Sequence, residues 1–235
     1  MTQATAVAPA AGVRINTFLA KVYLLMFVGL AVTGAVSYWV STNLQFQFRL
    51  LTSPWLGFGL FIIQIIVVVV LSARVMTMPS GGAALLFLFY AALTGLTLSS
   101  IFLLYSEDQI YSVFFITSAT FLVSGLVGLV IKKDMSGAGY FLFMLLTGWI
   151  LAWLASWFFS LFLGPLTNLN WALNYIGIAI FVGLTAWDHQ QLKQIGQQVG
   201  RHPAGGGLVV IGALKLYLDY INLFLLILRV ASRNR

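Results

Sequence analysis

The 235-residue chain contains no cysteine, which excludes disulfides, thiolate metal sites and thiol catalysis. Acidic residues are almost as scarce: there are five, against 12 Lys and Arg. Charged residues make up 7% of the chain, where an average soluble domain carries about 25%. So little polar surface cannot keep a folded domain in water. Phosphate-binding Walker loops, zinc-binding HExxH helices and GxSxG nucleophile elbows are all missing. The glycines at 205–207 lead into an apolar run without the Lys-Ser/Thr of a phosphate loop. No constellation for enzymatic chemistry is present, and no cofactor is implied. The net charge of +7 is scattered at the ends of apolar runs rather than gathered into a stripe, which argues against nucleic acid as a partner.

What the chain has in abundance is apolar sequence, 61% of its residues, with a mean hydropathy of +1.00. It comes in long uninterrupted runs rather than the alternation of a membrane β-barrel, so the expected fold is all-α and integral to a membrane. Seven segments can be marked, at 18–40, 54–73, 83–105, 110–131, 140–163, 171–187 and 208–230. Each is close to the roughly 20 residues needed to cross about 30 Å of hydrocarbon as a helix. Pro54, Pro79, Pro165 and Pro203 fall at breaks between them, as breaker chemistry predicts. No connection is long enough for a soluble domain. The expected organisation is a disordered N-terminal tail over 1–17, a membrane domain over 18–230 and a basic tail over 231–235. The Ala-rich, uncharged stretch 1–13 lacks the basic n-region of a signal peptide, so the first apolar run reads as a retained helix.

Placing the N-terminus in the cytoplasm puts Arg14, Lys21, Arg74, Lys132, Lys133, Lys193 and Arg201 on the cytoplasmic side, which fits the positive-inside rule. The C-terminal Arg229, Arg233 and Arg235 then fall outside, which the same rule disfavours, so a six-span or re-entrant variant stays open beside seven spans. Small residues four apart, Gly29, Thr33 and Ser37 in the first segment and Ala91, Gly95 and Ser99 in the third, allow close helix approach. Trp149, Trp153 and Trp157 form an aromatic stripe that reads as interfacial anchoring.

Asp188 and Asp219 lie within or against apolar runs, where carboxylates are costly and default to functional hypotheses. They stand equidistant from the turn around Pro203, so an antiparallel hairpin puts them at one height; helix rotation decides whether they face each other. If they meet, burial and mutual repulsion disfavour the doubly charged state, so the pair shares a proton and titrates as a unit. Paired carboxylates are also a hard-oxygen site suited to calcium or protons. The bland reading is that each Asp satisfies a buried cation or a helix end. Arg74, closing the second segment, either snorkels to the interface or pairs with a carboxylate. Lys215 stands one turn before Asp219 and favours its ionised form. Glu107 and Asp108 sit between the third and fourth segments, where acidic charge would concentrate cations at an outer mouth. His189 and His202 carry little promise as metal ligands.

The stretches FVGLTAWDHQQLKQIG (181–196) and GALKLYLDYINLFLLILRV (212–230) resemble the last two spans of bacterial Bax inhibitor-1 family proteins. ALTGLTLSSIFLLY (92–105) and the KKDMSGAG loop (132–139) are similar to their third and fourth spans. The resemblance implies a bacterial inner-membrane protein of seven helices, six around the last, that leaks calcium in a pH-dependent manner. Asp188 and Asp219 match the family's pH-sensing aspartates, and Arg74 matches its latch arginine. Lys215 occupies a position that is usually uncharged in close relatives. A second expectation, from one resembling subgroup, is regulation of a membrane-bound quality-control protease without transport. Proton-coupled solute transport ranks behind both, because few polar residues are available to line a substrate cavity.

Overall fold

The computed structural model describes residues 7–199 and 206–232, of which the side chains at 7–14, 50, 51, 54 and 199 are set aside. Arg201, His202, Pro203, Gly205, Arg233 and Arg235 lie outside the described residues. Among the described residues the regular elements are all helices: α1 (Val7–Ser41), α2 (Leu44–Thr52), α3 (Pro54–Arg74), α4 (Ser80–Leu98), α5 (Ile101–Leu104), α6 (Glu107–Val130), α7 (Ser136–Leu163), α8 (Thr167–Val199) and α9 (Gly207–Ala231). Seven stretches are long and apolar enough to cross a membrane, and they coincide with the seven segments marked in the sequence.

Four features go beyond the sequence reading. Helix α1 begins at Val7, inside the Ala-rich stretch read as tail; alanine is the strongest helix former, so the first helix runs back past its apolar stripe. Helix α8 continues twelve residues past Trp187, where the apolar run stops. Leu192 and Gly196 repeat the buried face at helical spacing there, so packing keeps a polar sequence helical and places Asp188 in mid-helix. The third span is interrupted: α4 gives way to a turn at Ser99 and Ser100 before α5. Ser99 and Ser100 donate to the carbonyls of Leu96 and Thr97 at 2.7 and 3.1 Å, the side-chain substitution that lets a membrane helix break. Finally, α2 forms a short amphipathic helix where a loop was expected. Asn43 Oδ1 accepts the Phe46 amide at 3.1 Å, an N-cap bond, and Pro54 opens α3 at a position that needs no donor.

The chain divides into two packing units, and α8 and α9 contribute to both. The first holds Met1–Ser106 and Leu192–Tyr217. Here α1 and α4 approach through their small residues: a Cβ on Gly95 would lie 2.6 Å from the Thr33 carbonyl oxygen, and Thr33 Oγ1 donates to Ala91 O at 2.9 Å. Close approach thus substitutes for the hydrophobic drive that lipid cannot supply.

The second unit holds Glu107–Gln191 and Leu218–Arg235. Its core is Ile180, Phe181, Leu184, Leu223 and Leu226, with Leu142, Leu146 and Trp149 packed against it. Helix α6 buries Ile110, Val113, Thr117, Phe121, Ser124, Gly125 and Gly128, a single face repeating every three or four residues. Helix α7 ends at Gly164, whose φ of 78° only glycine adopts without strain. The tryptophan stripe splits in role. Trp157 is exposed, as an anchor should be, whereas Trp149 donates to Leu173 O at 2.7 Å and packs edge-on against Phe181. Of the seven spans, Gly207–Ala231 is the most buried and Ser136–Leu163 the least.

Candidate functional site: the buried carboxylates of α8 and α9

Within the second unit the buried faces of α8 and α9 are largely apolar, with Asn174 in the early part of α8 and one further polar zone. There Thr185, Asp188, His189 and Gln190 on α8 and Asp219 on α9 are all buried, each carboxylate residue with 6% of its surface exposed. Apolar surroundings make a buried carboxylate costly, and such residues are functional candidates by default.

The residue that follows each aspartate packs against α6. His189 and Tyr220 both meet the ring of Phe121 on α6, edge-on, with centroid separations of 5.2 and 5.6 Å. One phenyl ring therefore touches both α8 and α9, at the residues that directly follow Asp188 and Asp219.

Each of those neighbours is held firmly. His189 Nδ1 lies 2.7 Å from Thr185 O; a carbonyl accepts, so Nδ1 carries the proton in the neutral ring. Tyr220 Oη shares a hydrogen bond of 2.8 Å with Ser118 Oγ, and Ser118 donates to Phe114 O at 2.8 Å. Gln190 reaches the connection between α6 and α7: its Nε2 donates to Ile131 O and Lys133 O at 3.1 and 3.0 Å, and its Oε1 accepts the Met135 amide at 2.9 Å. The carboxylate zone is thus tied directly to the basic loop that carries Lys132 and Lys133.

The remaining sequence candidates are distributed differently. Arg74 is the last residue of α3 and is exposed, and it belongs to the first unit. Lys215 is half-buried on α9, also in the first unit. Glu107 and Asp108 are exposed and form the first turn of α6 rather than a loop, where acidic side chains stabilise the helix N-terminus. Phe121, His189, Gln190 and Tyr220 were not singled out as site residues by sequence. The one available signal was the run of polar residues after an apolar segment, WDHQQ.

Among the described residues no three His, Cys, Asp or Glu side chains converge. A hard cation held by Asp188 and Asp219 would complete its shell with water, hydroxyl and carbonyl oxygens, which calcium accepts.

The family model described as Inhibitor of apoptosis-promoting Bax1 matches residues 15–235. The chain belongs to the Bax inhibitor-1 family. It is 41% identical over 231 residues to the inner membrane protein YbhL of Escherichia coli K12, covering 97% of this chain and 96% of that protein. An uncharacterized protein of Borreliella burgdorferi is 36% identical over 221 residues, covering 94% and 93%. An uncharacterized membrane protein of Streptococcus pyogenes serotype M3 is 35% identical over 229 residues, covering 94% and 95%. Membership and the seven apolar helices make this Bax inhibitor-1 family protein a multi-pass membrane protein.

Proposed function

We propose that the protein is a passive, proton-sensitive calcium leak of the inner membrane, with its N-terminus in the cytoplasm and Asp188 and Asp219 as sensor and cation waypoint. The observation that carries this reading is the burial of both carboxylates within the second unit, with the residue after each of them packed on the ring of Phe121. Where two buried carboxylates meet they resist simultaneous ionisation, and either a shared proton or a divalent cation relieves the repulsion. Protons and calcium therefore compete for one site, and flux follows pH. Arg74 acts as gating partner when its side chain turns inward, Lys215 tunes the charge of Asp219 from one turn away, and Glu107 and Asp108 gather cations at the outer mouth. The high burial of Gly207–Ala231 supports a central place for the last helix.

The test is calcium flux into proteoliposomes, comparing the native chain with Asp188→Asn and Asp219→Asn across the near-neutral pH range. Asparagine has the shape of aspartic acid but neither charge nor exchangeable acid proton, so each variant should lose the pH dependence of the leak. The same leak with the same pH response in all three proteins would remove the reading. It would leave a regulator of a membrane protease whose carboxylates are structural.

A further inference from the structure

The amphipathic helix α2 covers a cavity in the first unit that has a built polar point. Gln47 is 2% exposed. Its Nε2 donates to Ser99 O at 2.9 Å, which fixes the amide orientation, and its Oε1 is buried with no hydrogen-bond partner among the described residues. A buried carbonyl oxygen left in that state costs about 1–3 kcal/mol.

Gln47 lines two spaces. The inner one, about 190 Å³, lies among Gly57 and Leu60 of α3, Leu96 and Leu103, and the turn at Ser100. The outer one, about 400 Å³, is bordered by Leu44, Gln45 and Phe48 and shares Gln47 and Leu103 with the inner. A Cβ built on Gly57 would meet nothing within 4 Å, so the inner space is open on that side. The serine and threonine hydroxyls at the α4 break already donate to helix carbonyls, and the break is a helix C-terminus, which is electronegative. The cavity therefore offers acceptors and apolar walls but spends its own donors internally.

The surroundings are those of a membrane surface. Helix α2 joins the first two spans and exposes Leu44 and Phe48, at 70% and 66%, as an interfacial helix does. Arg49 is exposed in its last turn, one turn beyond Gln45 and on the same helix face.

We propose that this cavity binds a phospholipid with a primary-amine headgroup. The ammonium donates to Gln47 Oε1 at the negative end of α4, the phosphate meets Arg49, and an acyl chain runs along Leu60, Leu96 and Leu103. A quaternary ammonium cannot occupy the same place, because it has no N–H to give.

The experiment is native mass spectrometry of the full chain with phosphatidylethanolamine, phosphatidylcholine and phosphatidylglycerol of identical acyl chains. The site-specific signal is the binding lost in Gly57→Leu, which fills the cavity and leaves the Gln47–Ser99 bond intact. The expected result is a preference for ethanolamine over choline lipid of about tenfold, the worth of one charge-assisted hydrogen bond. Gln47→Leu should reduce that preference to parity, and Gln47→Glu should keep or raise it. Equal binding of ethanolamine and choline lipid to the native chain would overturn the proposal and leave water as the partner of Oε1. Stronger binding of phosphatidylglycerol would overturn it too, assigning the surface to Arg49 alone. The native chain and Gly57→Leu decide the matter even if Gln47→Leu does not fold.

Discussion

The imidazole of His189 rests on the backbone of Gly125, so closely that a methyl group added there would lie 2.6 Å from Nε2. The ring has little room to yield: Nδ1 is held by Thr185 O at 2.7 Å and Phe121 packs against it edge-on. Gly125→Ala should therefore destabilise the protein by about 1–3 kcal/mol, the usual cost of overpacking. His189→Ala frees the space, so the double variant should lose less than the sum of the two single losses. Thermal unfolding in detergent measures all three, and strict additivity would show that the two residues are not coupled.

Gly128, one turn further along α6, faces backbone instead. A Cβ there would clash with the Ala186 carbonyl oxygen, which no side-chain rotation can relieve. Helices α6 and α8 would have to separate, with loss of packing along both. Gly128→Ala should therefore cost more stability than Gly125→Ala and sharply reduce the yield of folded protein in the same assay. The reverse order would mean that α6 shifts on α8 without penalty.

Much of this architecture was legible in the sequence because lipid imposes a simple rule: an apolar run long enough to span must be helical. The seven spans followed from run length, and small residues four apart marked α1 and α4 as able to approach another helix closely, without saying which. Two kinds of feature were not legible. Helix α2 and the far half of α8 are polar or short, and only packing of Gln47, Leu192 and Gly196 makes them helical. Phe121 and Tyr220 are site residues through rotation and register, which periodicity leaves undetermined; as letters they are ordinary core aromatics. Asp188 and Asp219 stood out because carboxylates in apolar runs are costly, and cost is visible without coordinates. Exposed Arg74 had no such signal beyond resemblance.

Gln190 holds the connection between α6 and α7 through three hydrogen bonds to backbone groups of residues 131, 133 and 135. Gln190→Leu keeps most of the side-chain volume and removes all three. The Met135 amide should then exchange with deuterium faster, by about tenfold for each 1.4 kcal/mol of lost protection. Protease cleavage after Lys132 or Lys133 should rise in parallel. Unchanged exchange at Met135 would mean that the loop is held by other contacts.

In the first unit, Tyr217 is fully buried, and its hydroxyl lies 2.7 Å from Thr33 Oγ1, which also reaches Ala91 O at 2.9 Å. Its ring meets Phe87 and Tyr90 edge-on at 5.4 and 6.0 Å. The hydroxyl and the ring can be separated by substitution. Tyr217→Phe leaves Thr33 able to donate to Ala91 O, so the cost should be about 1 kcal/mol, one hydrogen bond. Tyr217→Ala removes the ring from a site with no exposure and should cost about 3–5 kcal/mol. Thr33→Val leaves the Tyr217 hydroxyl with Thr94 as its remaining side-chain partner and also removes the α1–α4 bond, so it should exceed Tyr217→Phe. Thermal unfolding in one detergent ranks the three. If Tyr217→Phe proved as damaging as Tyr217→Ala, the hydroxyl rather than aromatic packing would be what joins α1, α4 and the start of α9.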